Sequence, residues 1–233
     1  MRGGFLSMMD NGAGAGFVAQ ENQIRRPAGL VEEVYTRLRA QIMSLKIPPD
    51  TRISVDSLVR ELGVSHTPIR EALSMLEAIG LVTRKRFIGY CTAPELNSRQ
   101  LDELAEIRFL IEPYAARRAA ERMDDVKLAR LDDITDAMEK AGASHEFAQR
   151  DGEFHDYLAQ CSGNALIVDA LTRLHTHLHI IRLRFDREIT DDTVGEHHQL
   201  IEALRRRDGD AAEKAMRSHL ERSYARLARF TRD

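Results

Sequence analysis

The chain has 233 residues, of which 43% are hydrophobic and 30% are charged, with a formal net charge of −3 at pH 7. This balance is typical of a folded chain of one or two domains. No apolar run approaches the roughly 18 residues that a membrane-spanning helix needs, so we expect no membrane partner. The cysteines, Cys91 and Cys161, lack metal-type spacing and are expected to be free thiols of a cytoplasmic protein.

The net charge divides unevenly along the chain. Residues 1–95 hold 12 basic and 10 acidic side chains, whereas residues 96–233 hold 22 and 27. A modestly basic part joined to an acidic one is compatible with nucleic-acid contact by the first. Residues 1–27 are rich in Gly, Ala and Asn and lack the sustained apolar core of a signal peptide, so we expect a disordered arm there.

Two short helices with a tight turn between them are predicted in the first third of the chain. Apolar spacing over residues 57–62 indicates the first helix, and Gly63 suits the position that ends it. Ser65 and Thr67 can cap the second helix, with Pro68 at its first position. A helix-turn-helix of this kind places its second helix in the major groove of DNA. The same pattern alone also fits an ordinary corner between two helices.

The neighbouring residues favour the DNA-binding interpretation. Residues 83–92 form two short β-prone runs around a basic turn, which predicts a hairpin that touches phosphates or the adjacent minor groove. Residues 30–46 carry apolar side chains at helical spacing, which predicts a further helix over the same small core. The residues expected to contact DNA are Ser65, His66, Thr67, Arg70, Arg84, Lys85, Arg86 and Gly89.

The segment from about Leu30 to Ala93 resembles the winged-helix domain of GntR-type transcription regulators. The usual core of that domain reads Leu-Gly-Val-Ser-Arg-Thr-Pro-Val-Arg-Glu-Ala-Leu, and residues 62–73 match it at all but two positions. Ile69 in place of Val is neutral, whereas His66 stands where the family has a DNA-contacting Arg. A neutral histidine cannot form the two-donor pair that Arg makes with guanine, so we expect DNA binding but not the family's operator sequence.

From residue 98 onward the sequence predicts helices separated by short connections, which implies an antiparallel bundle around one core. This part resembles the FCD domain of FadR-like GntR regulators, with matches that include Glu106-Ile107-Arg108, Phe154-His155 and Glu196-His197. The expected fold class is therefore mainly α, with a winged helix-turn-helix over residues 28–95 and an all-α bundle over residues 96–233. The six predicted helices lie near residues 98–122, 124–141, 144–162, 165–187, 192–207 and 209–230.

Four polar side chains interrupt the apolar stripes of three of these helices. Asp151 and His155 lie one turn apart, a common way for one helix to offer two metal ligands. His197 and His219 lie among apolar residues of the last two helices. A single histidine on such a face is more often a satisfied core residue, but three histidines and an aspartate are costly to bury without partners. The residues themselves leave open a metal site or an empty hydrogen-bonded cluster.

The resemblance to the FCD domain implies the metal site. Its metal-binding members use Asp-x-x-x-His, a His that follows Glu, and a His in the last helix. The residues that match these positions are Asp151, His155, His197 and His219. One carboxylate and three imidazoles suit Zn²⁺ or Ni²⁺. His175 and His177 flank the stripe of their helix and His179 points away, so we expect these three at the edge of the pocket or on the surface.

Arg108 lies in an apolar stripe, where a cation is expensive to bury unless it is paired. Glu112, one turn further on, can pair with it in a purely structural role. Alternatively, Arg108 receives the carboxylate of a ligand, for which the guanidinium geometry is well suited. The FCD resemblance implies the second role, because the matching Arg helps to hold carboxylate effectors beside the metal.

Taken together, these features predict a homodimeric, metal-dependent regulator that binds double-stranded operator DNA and responds to a small organic acid. The dimer is implied by the family and by two-fold operators. One alternative is an enzyme that activates water on an Asp-His₃ metal site. The sequence offers no obvious general base among these ligands, and an enzyme leaves the winged helix unexplained. The other alternative is a sensor of the metal ion itself.

Overall fold

The computed structural model describes residues 28–182 and 187–231. The predicted N-terminal arm, residues 1–27, lies outside this part of the chain. The described residues are mainly helical and include one small antiparallel sheet, which confirms the predicted fold class. None of the described helices is long and apolar enough to cross a membrane.

The N-terminal part is a winged helix. Its helices are α1 (Ala28–Met43), α2 (Val55–Leu62) and α3 (His66–Ala78), and its strands are β1 (Arg52–Ile53), β2 (Val82–Lys85) and β3 (Gly89–Thr92). The strands lie in the order β1-β3-β2, and β2 and β3 form the predicted hairpin, in which Lys85 is paired with Gly89 beside the turn. The sequence does not predict β1, because two residues are too few to show an alternating pattern.

Apolar residues of α1 and α3 form the centre of this part. Leu38, Ile42, Ile69, Leu73 and Leu76 are each at most 2% exposed. Burial of side chains of this size contributes roughly 2 kcal/mol each. This packing fixes α3 against α1 and leaves the start of α3 exposed to solvent.

The start of α3 differs from the prediction. The helix begins at His66, so Ser65 is its N-cap residue, without a side-chain capping bond, and Thr67 and Pro68 are its second and third residues. Pro68 is tolerated there because the N–H groups of the first turn have no partner within a helix. Gly63 ends α2 as predicted, with a φ of 66° that favours glycine.

The C-terminal part is an antiparallel helical bundle. Asn97, Asp124, Ser144 and Asp208 each accept a backbone N–H at the start of a helix. Its helices are α4 (Ser98–Glu121), α5 (Asp125–Ala141), α6 (His145–Cys161), α7 (Ala165–Arg182), α8 (Arg187–Arg205) and α9 (Gly209–Leu227). α4 packs along α9, and α6 packs against α4, α5 and α7. The middle of the bundle is therefore reached by side chains of α4, α6, α8 and α9.

The predicted start of α8 at residue 192 is wrong. The helix begins at Arg187 and continues through Asp191 and Asp192, which are both exposed. In the same turns, the hydroxyl of Thr193 donates to the carbonyl oxygen of Ile189 at 2.7 Å. The acidic pair therefore lies on the solvent face of a helix, where charged side chains are usual, rather than at a boundary.

Candidate functional site

Three helices bring the four predicted metal ligands together inside the bundle. Asp151 and His155 project from α6, His197 from α8 and His219 from α9. Each of the four is at most 2% exposed. The i,i+4 spacing on α6 places Asp151 and His155 side by side. The packing of α8 on α9, and of α4 on both α6 and α9, brings His197 and His219 to the same place.

The distances in this cluster are close to those between donors on one metal ion. Nε2 of His155 lies 3.2 Å from Nε2 of His219. Oδ1 of Asp151 lies 3.5 Å from Nε2 of His197 and 3.9 Å from Nε2 of His155. Ligand atoms of the three histidines all lie within 4.8 Å of one another. Donors at about 2.1 Å from a zinc ion are separated by roughly 3–3.5 Å, so the spacing fits after small adjustments.

Two buried carboxylates determine which ring nitrogens face the centre. Nδ1 of His155 lies 2.8 Å from Oε2 of Glu112, and Nδ1 of His219 lies 2.8 Å from Oε2 of Glu196. Burial raises the pKa of both carboxyl groups, but the neighbouring cations outweigh it and hold each pKa below its usual range. Ionised carboxylates can only accept, so both imidazoles carry their hydrogen on Nδ1.

The Nε2 atoms of His155 and His219 therefore face each other across 3.2 Å. Burial lowers the pKa of His155 to about 4, although Glu112 opposes the shift, so this ring is neutral at pH 7. This distance fits one shared proton, or two donors to a metal ion that lies off the line between them. A carboxylate behind each histidine is the usual support for imidazole ligands of a metal.

Glu196 is itself fixed by an arginine from α9. Nη1 and Nη2 of Arg226 donate to the two oxygens of Glu196 at 2.8 and 2.7 Å. Burial raises the pKa of this carboxyl, but hydrogen bonds from Arg226 and His219 outweigh it and bring the pKa to about 2. Two parallel bonds of this kind orient the carboxylate as well as neutralise it.

A second group of possible metal ligands shares His155. Glu112, His155 and His175 also have ligand atoms within 4.8 Å of one another. Nε of Arg108 donates to Oε1 of Glu112, which places a fixed cation beside this group. Because a metal ion there is repelled by the guanidinium, the geometry favours the cluster on the Nε2 side of His155.

His175 is buried, and it also lines the cleft beside α1, so it lies at the edge of a pocket as the sequence predicts. It is 3% exposed, and its Nδ1 and Nε2 lie 2.7 Å from Oδ1 of Asp156 and 3.3 Å from Oε1 of Glu112. Burial lowers its pKa, but these two acids outweigh burial and raise the pKa above its usual value. The side chains of His177 and His179 lie outside the described part of the chain.

Arg108 makes the ion pair with Glu112 that its spacing predicts, and one of its donors remains unused. The residue is 4% exposed, and Nη2 is buried without a hydrogen-bond partner among the described residues. An apolar cavity of about 10 Å³ beside Arg108, lined also by Leu104 and Tyr224, has room for one water molecule. An organic acid at this position requires the cavity to widen.

Glu196 and Arg226 have no role in the predicted site. Arg226 lies two turns beyond His219 and thus on the same face of α9, which is a signal available in the sequence. Glu196 precedes His197 and reaches a different helix, so no local spacing connects it with His219. Glu112 is predicted as the partner of Arg108 but not as that of His155.

A cleft of about 800 Å³ separates the winged helix from the bundle. Tyr35 and Arg39 of α1 line one wall, and Asp156, Tyr157 and His175 line the other. The pair of His175 and Asp156 therefore connects the buried cluster to a surface that faces α1.

The predicted DNA-contacting residues at the start of α3 all reach solvent. Ser65, His66, Thr67 and Arg70 are exposed. Nε2 of His66 lies 2.8 Å from Oδ1 of Asp56 on α2, and this hydrogen bond lowers the pKa of the Asp56 carboxyl. The His66 ring is thus attached to the first helix of the pair, a contact that the sequence does not predict.

The residues of the hairpin that are predicted to contact DNA differ in how available they are. Arg84 and Arg86 are exposed, and the guanidinium carbon of Arg84 lies 5.8 Å from the centre of the Tyr90 ring. Lys85 is paired with Asp50, which neutralises part of its charge. Gly89 has a φ of 98° at the start of β3 and is half-buried.

Comparison with known proteins finds matches along most of the chain. The family model described as "Bacterial regulatory proteins, gntR family" matches residues 30–90, and that of the FCD domain matches residues 103–222. The HTH-type transcriptional regulator LutR of Bacillus subtilis is 31% identical over 196 residues, covering 74% of this chain and 89% of its own. The Galactonate operon transcriptional repressor of Escherichia coli is 27% identical over 226 residues, covering 86% and 97%. Among solved structures, E. coli McbR/YncC has a similar fold, with a TM-score of 0.74 and 22% identity over 86% of this chain and 98% of that one.

Proposed function

The chain belongs to the GntR family of bacterial transcription regulators and carries an FCD domain, and from this we propose that a small carboxylate bound beside a divalent metal ion sets its affinity for operator DNA. The observation that carries the proposal is the pair of Nε2 atoms of His155 and His219, which face each other 3.2 Å apart with both Nδ1 atoms held by carboxylates. A divalent ion bound by both nitrogens accounts for this arrangement and supports the proposal.

Asp151, His155, His197 and His219 hold the ion in this proposal. One carboxylate oxygen and three imidazole nitrogens suit Zn²⁺ or Ni²⁺. When bound, the ion supplies a Lewis-acidic position at which a carboxylate oxygen can bind. Glu112 and Glu196 accept hydrogen bonds from Nδ1 of two of the imidazoles and so leave their Nε2 atoms available to the ion.

Arg108 is the second anchor for the carboxylate. Its Nη2 is buried without a partner among the described residues, and a guanidinium donates two parallel hydrogen bonds to a carboxylate. The name of one relative, the Galactonate operon transcriptional repressor, connects a similar chain with a sugar acid. We therefore place the effector among small organic acids such as sugar acids, lactate or citrate.

In this proposal, the start of α3 and the hairpin between β2 and β3 contact the operator. Arg70 and the hydroxyls of Ser65 and Thr67 are available for the major groove, and Arg84 and Arg86 for phosphates. The hydrogen bond between His66 and Asp56 directs the imidazole toward α2. This supports a base preference in the operator that differs from that of family members with Arg at this position.

Two winged helices on a two-fold operator require a homodimer, and α4 offers a surface for it. Ile107, Leu110 and Tyr114 share one face of α4, and their side chains are 43%, 78% and 49% exposed. Apolar residues exposed in a row on a helix are typical of a protein interface. The occupant we propose is α4 of a second copy.

The proposed function is tested by titrating operator DNA under controlled metal and acid. The probe is a duplex selected by the purified protein from a random library, and the protein is stripped with a chelator and then reloaded with Zn²⁺ or Ni²⁺. We expect citrate, lactate or galactonate to change operator affinity roughly 5- to 150-fold in the loaded protein and to have no effect on the stripped one. If operator affinity changes with the metal ion when no acid is present, the protein is a metal sensor. If operator affinity changes with neither the ion nor the acid, the proposal is contradicted.

The enzyme alternative has less support. Relatives along most of the chain have the names of transcription regulators, and the winged helix has no role in a hydrolytic reaction. Glu112 and Glu196, the buried acids nearest to the cluster, are ionised and committed to arginines and histidines, so neither is free to act as a general base.

A further inference from the structure

The tip of the hairpin between β2 and β3 has an unusual backbone. The N–H of Ile88 donates to the carbonyl oxygen of Lys85 at 3.2 Å, which closes a four-residue turn. The third residue of this turn is Phe87, with a φ of 64°. A positive φ at the third position is the conformation in which turns prefer glycine or asparagine. For a bulky aromatic residue it is sterically unfavourable.

Folding does not explain why phenylalanine occupies this position. The side chain of Phe87 is 92% exposed, so its ring gains almost nothing from the hydrophobic effect, and the adjacent Ile88 is 47% exposed. The guanidinium carbon of Arg86 lies 4.7 Å from the centre of the Phe87 ring. A cation–π contact at an exposed site is weak. Residues in strained conformations that gain no burial commonly belong to functional sites.

The charge around the ring indicates what it contacts. Arg84 and Arg86 are both exposed and lie on the same hairpin as Phe87. An apolar tip flanked by arginines is complementary to a partner that combines negative charge with apolar surface. The hairpin directly follows α3, whose start carries the residues proposed for the major groove. A duplex bound at the start of α3 is therefore a large anion close to the tip.

Resting on the proposed operator binding, we propose that Phe87 is a wedge that enters the minor groove of the operator. Arg84 and Arg86 contact the phosphates beside it, and the ring partly unstacks one base step and bends the duplex there. Pyrimidine–purine steps such as TA and CA unstack most easily. Phe87 thus selects operators that carry such a step where the hairpin lies.

Substitution of Phe87 separates the wedge from a structural role. Phe87→Gly fits the positive φ, so this variant is expected to melt at or above the temperature of the wild type. Phe87→Leu keeps an apolar side chain, and Arg86→Ala removes a phosphate contact only. The probe is the duplex selected by the wild-type full chain, labelled at its ends so that energy transfer reports its bend.

Phe87→Gly should lose roughly tenfold or more in operator affinity, the scale of one lost aromatic–base contact, and should bend the duplex less. Its dependence on salt should match that of the wild type, whereas Arg86→Ala should lower the salt slope by about one phosphate contact. Phe87→Leu should retain most of the bend. Replacement of the pyrimidine–purine step in the probe should weaken the wild type but not Phe87→Gly.

An unchanged bend and affinity in Phe87→Gly overturns the wedge. The Arg70→Ala variant tests the underlying operator binding separately from the wedge. If Arg70→Ala binds the selected duplex as well as the wild type does, the proposed operator contact of α3 is itself wrong. If Phe87→Gly loses binding to a protein or to anionic vesicles but not to the duplex, the ring serves another partner and the proposal is wrong.

Discussion

Each of the two buried carboxylates around the histidine cluster has its own arginine. Glu112 pairs with Arg108, and Glu196 pairs with Arg226. An isolated carboxylate in such a place would be protonated and would no longer hold a histidine in one tautomer. The guanidinium groups therefore keep the carboxylates ionised, and the carboxylates keep the Nε2 atoms turned toward the centre. The proposed cation site therefore depends also on residues that would not touch the cation.

Loss of a proposed ligand should remove the metal. We expect His219→Ala to be purified without the stoichiometric zinc or nickel of the wild type and to melt at a lower temperature, because the ion binds only the folded state. Elemental analysis and thermal melting measure both effects. The control is His198→Ala on α8, since His198 is exposed and adjacent to a proposed ligand. Equal metal content in both variants, or a wild type that takes up no ion, contradicts the site.

Glu196→Gln should destabilise the protein, because Arg226 is left buried without its counter-charge. Breaking a buried pair of this kind costs about 3 kcal/mol in the free energy of unfolding, measurable with denaturant. Glu202→Gln on the same helix is the control, and its exposed pair with Arg205 should cost well under about 1 kcal/mol.

The effect of Glu196→Gln also has a predictable pH dependence. Hydrogen bonds from Arg226 and His219 outweigh burial and lower the pKa of Glu196 to about 2. A carboxyl with a lowered pKa contributes stability that is complete above its unfolded value near 4.5 and is lost as the pH falls toward 2. The difference between wild type and Glu196→Gln should therefore be constant from pH 7 to about 5 and then shrink. A difference that grows in acid would assign the effect to another group.

For single residues, the sequence predicts pairs that lie on the same helix better than it predicts contacts between different helices. The i,i+4 spacing of Asp151 and His155, and of Arg108 and Glu112, is visible as periodicity. The contact between Glu196 and His219 depends on how α8 packs on α9, which no local pattern contains. The helical phase of His175 places it at the edge of a pocket, and it does line the cleft beside α1. Its contacts with Glu112 and Asp156 depend on how α7 packs on α4 and α6, which the phase alone does not contain.

Among the elements, the ends were harder to predict than the helices themselves. α5, α6 and α9 begin within a residue of their expected starts, because Asp124, Ser144 and Asp208 are strong capping residues. α3 and α8 begin earlier than expected. In both helices, polar residues that suggested a cap or a boundary lie within the helix on its exposed face.

The exposed face of α4 should determine the oligomeric state. Leu110→Glu places a charge at the centre of the proposed interface, so we expect the protein to become monomeric at micromolar concentration and to lose affinity for a two-fold operator. Light scattering after size exclusion measures the mass. Val126→Glu on α5 is the control, because Val126 is as exposed as Leu110 but lies on another helix. A dimer that survives Leu110→Glu places the interface elsewhere.

In the whole molecule, a chain of contacts leads from the proposed effector site to the cleft beside the winged helix. Arg108 pairs with Glu112, Glu112 contacts His175, and His175 contacts Asp156 in the wall that faces α1. A carboxylate that takes a donor of Arg108 changes the charge seen by Glu112 and His175. We propose that this chain couples the bundle to the orientation of α1, and the coupling requires the acid to bind two states of the dimer unequally.

Arg108→Lys tests this coupling with little effect on the fold. The lysine keeps a positive charge for Glu112 but cannot make the planar two-donor contact, so we expect metal content, melting temperature and acid-free operator binding close to wild type. The change in operator affinity on addition of citrate, lactate or galactonate should be largely lost, as should acid binding measured by calorimetry. Arg99→Ala is the control on α4, because Arg99 pairs with Glu103 in solvent, and it should respond as the wild type does. A full acid response in Arg108→Lys would reduce Arg108 to a structural partner of Glu112.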